Sequence, residues 1–366
     1  MAKTLPRIFV AMPSYRDPEC QHTVKDLFEK AAHPERIFVG ICWQYDMQGN
    51  SDARCFTVPY PYPQQVRVIE FDYRDAQGAN WGRHHAYSLK QDEEFVFLTE
   101  PHCRYVKGWD EKLLSMLAEC DSEKPALTNM MPPYELPSEL GDPFICSLSF
   151  RMFEPNGIAL VNTHGVPTGY IPEKPFISPL LLVSMLFARA EMFEQVPLDP
   201  HIYFEGDETS HSARAWTHGW DIFCTNEIIA YHLSDRKSRP LHWKDMPESQ
   251  VRMVTKSAAR FRHLFGMENI SDAEAIAELE NYGLGNARSI REYEEFAGID
   301  YQNRKLHDQN RWEIEKSAEN FTGTAPEIYQ PLIRRYMRPW ITSNLMNRVA
   351  HNALLQGCLQ EGLRED

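Results

Sequence analysis

The residues able to do chemistry gather at a few points of the chain. In the stretch FVFLTEPHCRYVKGW, residues 95–109, a carboxylate (Glu100) and an imidazole (His102) stand two positions apart, just past an apolar run. Oxygen and nitrogen ligands at that spacing can hold a divalent cation such as Mn²⁺ or Mg²⁺. The same residues can instead form a turn whose glutamate caps a helix starting near Trp109. A second acidic point, Asp207-Glu208, follows Gly206 and precedes a helical stretch at 209–217. Its carboxylates can cap that helix or face a ligand. A third point is His232, which closes an apolar run at 228–231; the loop beyond it is basic, with Arg236, Lys237 and Arg239 ahead of His242-Trp243.

The elements that must position these groups read as alternating strands and helices. Residues 95–99 are apolar or β-branched and too few for a helix, so they read as a strand buried on both faces. Pro101 cannot donate to a ladder and ends the pairing. Strands are expected at 7–12, 36–43, 66–71, 126–130, 180–187 and 228–231. Helices are expected at 19–32, where Val24, Leu27, Phe28 and Ala31 recur at helical spacing, and at 78–89 and 109–119. This alternation predicts an α/β fold, a doubly wound sheet with right-handed crossovers. The polar strand ends at 14–17, 44–46, 75–83 and 100–102 then fall at one edge of the sheet, where such folds bind ligands. They read either as a nucleotide pocket or as four ordinary polar loops. No GxGxxG follows the first strand and no Walker A lysine motif is present, which argues against dinucleotide-dependent dehydrogenases and P-loop enzymes. Residues 132–170, with six prolines, read as loop. From about residue 249 the pattern turns helical, with candidates at 250–265 and 273–282. The expected division is a catalytic domain over 1–245 and a helical C-terminal region over 246–366.

Composition narrows the function class. With 43% hydrophobic and 12% aromatic residues the chain can bury a real core. A net charge of −14 argues against a general nucleic-acid binder, though not against a local basic site. No apolar run approaches a membrane span, and the apolar stretch at 8–12 is strand-sized, too short for a signal peptide. Eight scattered cysteines without a CxxC pair suit reduced thiols in a cytoplasmic protein better than a disulfide framework or a zinc knuckle.

Three stretches, in order, resemble nucleotide-sugar glycosyltransferases of the GT-A fold, polypeptide N-acetylgalactosaminyltransferases among them. These are LTEPHCRYVKGWDEKLL, FEGDETSHSARAWTHGWDIF and IIAYHLSDR. A closer resemblance is to cytoplasmic N-acetylglucosaminyltransferases that modify hydroxyproline on a protein, and to their bacterial relatives. It takes in SYRDPEC, DAQGANWGR and YGLGNARSIREYEEFAGID, and runs over roughly residues 7–300. The resemblance implies a GT-A-like mixed sheet and a metal-dependent enzyme. That enzyme would move a sugar, N-acetylglucosamine from UDP-GlcNAc as first expectation, to a hydroxyl on a protein, glycan or modified base, with retention of configuration. It implies Glu100, His102 and His232 as ligands of Mn²⁺ or Mg²⁺, with His242 in reserve; the family usually carries Asp where Glu100 stands. It further implies Arg83, Arg236, Lys237 and Arg239 as phosphate contacts, and Ser14, Tyr15, Arg16, Gln44 and Asp46 around the uridine. Asp207 would hold donor-sugar hydroxyls and Glu208 would lie near the acceptor. The alternatives are another nucleotide sugar, a different acceptor class, or a catalytically silent nucleotide-sugar-binding module.

Overall fold

A computed structural model describes residues 5–166 and 171–307. The chain opens with β1 (Ile8–Tyr15), α1 (Glu19–Lys30), β2 (Ile37–Tyr45), β3 (Val66–Asp72), α2 (Ala79–Tyr87) and β4 (Phe95–Thr99). It continues with β5 (Cys103–Tyr105), α3 (Trp109–Glu119), β6 (Pro125–Thr128), β7 (Pro133–Glu135), β8 (Glu139–Leu140), β9 (Ile145–Phe153) and β10 (Ala159–Val166). Next come β11 (Phe176–Ile177), β12 (Met185–Arg189), α4 (Ala190–Gln195), α5 (Asp207–Thr217), β13 (Asp221–Cys224) and β14 (Ala230–Leu233). The described part closes with α6 (His242–Asp245), α7 (Pro247–Leu264), α8 (Ile290–Ala297), β15 (Ile299–Asp300) and β16 (Lys305–Leu306).

Eight strands form the central sheet, in the order β11-β13-β6-β12-β4-β1-β2-β3. β3, β2, β1 and β4 run parallel, and β12 lies antiparallel between β4 and β6. The sheet is therefore mixed, with a parallel half that carries the strand ends singled out above. Alternate residues of these strands enter opposite cores, as a strand covered on both faces requires. Ile8, Val10 and Met12 join one cluster with Phe97, while Phe9 and Ala11 join the other with Val96 and Leu98. Val24, Leu27 and Phe28 of α1 cover the first face; Trp81 and Ala86 of α2 cover the second. Burial at this level is worth about 1.5–3 kcal/mol for each large apolar side chain.

Two expectations are corrected. Within 132–170, read as loop, β9 and β10 pair antiparallel in a long hairpin. Its turn, Glu154-Pro155-Asn156-Gly157, is closed by Glu154 N–H to Ile158 O at 2.7 Å, with Gly157 at φ 94°. Asn-Gly between apolar runs is a hairpin signal that outweighs the surrounding prolines. Residues 273–282 form turns and a short 3₁₀ segment, Leu279–Asn281, rather than a helix. Arg260 Nη1 binds the carbonyls of Ala275 and Ala277 at 3.2 and 2.7 Å, acceptors that a helix would spend on its own amides. Among the described residues, one core cluster includes side chains from both sides of residue 245. Phe261 and Phe265 near the end of α7, Tyr293 and Phe296 of α8, and Tyr301 belong to the same cluster as β1 and β4. Phe296 stacks on Trp216 of α5 at 4.3 Å between centroids. The expected helical region from residue 308 onward lies outside the described residues.

Since α8 shares the core of the sheet, Phe296→Ala should destabilise the whole protein by about 3–5 kcal/mol. Denaturant unfolding should remain one cooperative transition. A separate early transition for α7 and α8 would show that they form a core of their own.

Candidate active site

The parallel strands stop together, β1 at Tyr15, β2 at Tyr45 and β4 at Thr99. A cavity of about 410 Å³ opens at this edge, walled by the strand ends, the start of α2, β14, the 234–241 loop and α6. Two clusters of charged groups face into it.

The first is built on backbone pairing. After Pro101 the chain enters β5, which pairs antiparallel with β14 so that His232 lies opposite Cys103, and Leu233 N–H donates to His102 O at 3.0 Å. This register brings the Nε2 atoms of His102 and His232 to 3.0 Å from each other. Asp17, 1% exposed, stands behind His102 with Oδ2 2.7 Å from Nδ1, and its Oδ1 accepts from Glu19 N–H at the start of α1. Arg239 sits in front, Nη2 3.0 Å from His102 Nε2 and Nε 3.3 Å from Asp17 Oδ2. Burial, with the adjoining His102 ring, pulls the His232 imidazole down to about 3, so it is neutral at physiological pH.

The second cluster is centred on Arg83. Gly78, at φ 107°, starts α2 where an added Cβ would lie 2.3 Å from Tyr203 O; the Ala79 amide donates to that carbonyl at 2.9 Å. At Gly82 a Cβ would meet Gln44 Nε2 at 2.9 Å and Pro13 Cβ at 3.0 Å, so glycine lets α2 lie against the ends of β1 and β2. Arg83 thereby reaches across the cavity wall. It donates to Glu100 Oε1 at 2.6 Å, Asp207 Oδ2 at 3.1 Å and Asn80 Oδ1 at 3.2 Å. Burial alone would push Glu100 up, but the charge of Arg83, helped by the two histidines, outweighs it and holds the carboxyl below its usual range. Glu208 behaves oppositely: burial and the neighbouring Asp207 push it well above the usual range and favour its protonated form.

The sequence-expected residues separate accordingly. Tyr15, Gln44, Arg83, Glu100, His102, Asp207, Glu208, His232, Arg236 and Arg239 line the cavity, with His242. Ser14, Arg16, Asp46 and Lys237 do not. Arg16 is held by Asp52 at 2.9 Å and Asp245 at 3.0 Å, Asp46 takes Ser51 at 2.8 Å and Arg74 at 3.2 Å, Ser14 is fully buried, and Lys237 is exposed on the loop. Arg83, expected on phosphate, is paired here with two carboxylates, the half-buried Glu100 and the buried Asp207. His242, the reserve ligand, has both nitrogens engaged, Nδ1 with Tyr203 OH at 2.8 Å and Nε2 with Ala76 O at 3.0 Å. Asp207 and Glu208 do not precede a helix starting near Thr209: Gly206 takes φ 90° and α5 begins at Asp207, so both acids lie in its first turn, where negative charge is favoured.

Adjacent ligand atoms about 2.1 Å from one cation, at right angles, lie about 3 Å apart. The His102–His232 pair has that spacing, and a carboxylate behind a ring is the usual outer support of a metal-binding histidine. These two residues fit a cation. The expected third, Glu100, is turned onto Arg83, and among the described residues no preassembled group of three His, Cys, Asp or Glu side chains could hold a metal ion. Asp17 is the functional residue that the sequence reading passed over as part of a polar loop; Tyr203, Phe204 and Trp243, aromatic walls of the cavity, carried no chemical signal either.

A family model described as Glycosyltransferase (GlcNAc) matches residues 7–61 and 60–303. The chain belongs to this family. It is a glycosyltransferase, an enzyme of sugar transfer, with a GT-A-like fold. The fold is similar to that of GalNAc-T7, solved with UDP, GalNAc and Mn²⁺, at a TM-score of 0.51 and 13% identity, over 88% of this chain and 59% of that one. The chain thus spans less than two thirds of that protein. It is also similar to S. aureus TarS 1-349 in complex with UDP-GlcNAc, at a TM-score of 0.48 and 14% identity, over 96% of this chain and 92% of that one. No curated protein sequence matches it.

Because buried Arg83 pairs with both Glu100 and the buried Asp207, Arg83→Met should cost this glycosyltransferase about 3–5 kcal/mol of stability, read from denaturant midpoints at pH 7. A change below about 1 kcal/mol would mean that the cluster is solvated rather than buried.

Proposed function

We propose that the enzyme transfers N-acetylglucosamine from UDP-GlcNAc to a hydroxyl acceptor on a protein, glycan or modified base, with help from Mn²⁺ or Mg²⁺ and with retention of configuration. The observation that carries the reading is the pair of facing imidazoles in a cavity at the ends of the parallel strands, beside the acid-bound Arg83. His102 and His232 would hold the cation, and Glu100 would join them on leaving Arg83. Bound there, a divalent ion supplies positive charge against a departing diphosphate. Tyr15 and Gln44 at the strand ends would face the uridine, and Arg236 and Arg239 the phosphates. Asp207 would orient the sugar, and Glu208 would meet the acceptor. The family description supports GlcNAc as the sugar. The seven described cysteines are all free and buried, which fits a reducing compartment, and we place the enzyme in the cytoplasm. No helix of the described residues is long and apolar enough to cross a membrane.

The state of the two acids supports retention. Inversion needs a free carboxylate to take the acceptor proton. Asp207 is spent on Arg83 and on the Glu208 amide, 3.1 and 2.8 Å away, and Glu208 leans towards its protonated form. In the retaining course the bond from C1 to the diphosphate oxygen breaks, leaving its electron pair on that oxygen. The acceptor oxygen bonds to C1 on the same face, and its proton passes to the diphosphate.

UDP release from UDP-GlcNAc should stop in EDTA. His102→Ala and His232→Ala should each lower it by at least about 100-fold. Full activity of both variants in EDTA would refute the cation site. The anomeric coupling constant of the product should be that of an α-linkage. A β-linked product would make Asp207 or Glu208 a general base.

A further inference from the structure

The contact between Arg239 and His102 has a chemical consequence of its own. Guanidinium nitrogens only donate hydrogen bonds. With Arg239 Nη2 at 3.0 Å, His102 Nε2 must therefore be the acceptor, and its ring proton resides on Nδ1, which donates to Asp17 at 2.7 Å. A neutral imidazole has one in-plane lone pair, and it already faces two nitrogens, Arg239 Nη2 and His232 Nε2, each 3.0 Å away. That lone pair is also the one His102 would give to a cation. Asp17 serves both arrangements: it fixes the ring with Nε2 towards the cavity, and its Oδ2 lies 3.3 Å from Arg239 Nε.

We propose that Arg239 and the divalent cation exclude each other at His102 Nε2, so that the guanidinium is a resident placeholder that must withdraw before the cation can bind. The inference rests on the cation reading above and says how that site is controlled. Two features favour Arg239 as the group that moves. Besides His102 it holds only the buried Asp17 carboxylate, at 3.3 Å, and the Asp235 carbonyl of its own loop, 3.0 Å from Nη1. The other cavity cations are engaged elsewhere, Arg83 on Glu100 and Asp207, and Arg236 over the Trp243 ring at 5.3 Å. Anionic phosphate oxygens entering the cavity match the planar donor fork of Arg239 better than a single ring nitrogen does. A diphosphate would draw the guanidinium off His102, and the freed lone pair would accept the cation. Nucleotide and cation then bind cooperatively, through competition for one side chain, and the coupling is reciprocal.

The test is a Mn²⁺ titration of the full chain, with free Mn²⁺ followed by electron paramagnetic resonance, with and without UDP. Without UDP, Arg239→Gln and Arg239→Met should each bind Mn²⁺ about tenfold or more tightly than the unaltered protein. UDP should tighten Mn²⁺ binding by a smaller factor in these variants. Lys237→Gln removes the same charge from the same loop but away from the cavity, and should change the affinity by less than about twofold if occupancy and not general charge is responsible. Two folded substitutions are used so that loss of one protein leaves the other, with circular dichroism as the check. Equal or weaker Mn²⁺ binding by the Arg239 variants overturns the placeholder while leaving the cation site intact. An equal gain in Lys237→Gln reduces it to long-range repulsion and also overturns it. Absence of Mn²⁺ binding in every protein, with and without UDP, overturns the cation reading and the placeholder together.

Discussion

The structure around the cavity depends on one buried guanidinium. Arg83 comes from α2, Glu100 from the end of β4 and Asp207 from the first turn of α5, three elements that also share a hydrophobic core. An isolated charge in such a place would be strongly disfavoured; one arginine shared by two carboxylates makes all three tolerable. The glycines at 78 and 82 are what let α2 come close enough for this. Each removes a side chain that would collide with the 203 carbonyl or with the ends of β1 and β2. Arg83 fixes the Asp207 end of α5, while the core fixes the rest of that helix through Ala213 and Trp216.

The second cluster has a different character. Asp17, His102, His232 and Arg239 form a chain of donors and acceptors in which each side chain fixes the state of the next. His232 is neutral because it is buried beside another imidazole, and His102 presents a lone pair because Asp17 holds its other nitrogen. The Arg83 cluster sets one guanidinium against two carboxylates. The His102 cluster ends in Arg239, a cation that faces the cavity.

Much of this was legible in the sequence, for physical reasons. Apolar runs of five or six residues between polar ends predicted the parallel strands, because strands covered on both faces leave no room for polar side chains. The common edge of residues 14–17, 44–46 and 100–102 followed from that alternation. Residues 132–170 were misread because prolines were weighed above the Asn-Gly turn that closes β9 and β10. The helix expected at 273–282 is lost to a tertiary contact, Arg260 capturing two carbonyls, which no local pattern reveals. Arg83 reads as a phosphate ligand in any sequence that has arginine near a strand end; that it is already paired depends on residues 17 and 124 positions away. Asp17 was invisible for the same reason, since its partner is 85 residues distant.

The pairing of β5 with β14 bears on how such proteins vary. His102 and His232 are 130 residues apart in the chain, yet their approach is fixed by three successive residue pairs between two short strands. Nothing in that approach depends on the length of the intervening polypeptide. Loops between residues 106 and 229 could lengthen while the two imidazoles kept their separation, although β6, β12 and β13 in that span belong to the central sheet. A slip of one position in the ladder would instead turn a histidine to the opposite face. Insertions in this enzyme are therefore cheap where they reshape the cavity rim, and a single-residue deletion inside either strand is not.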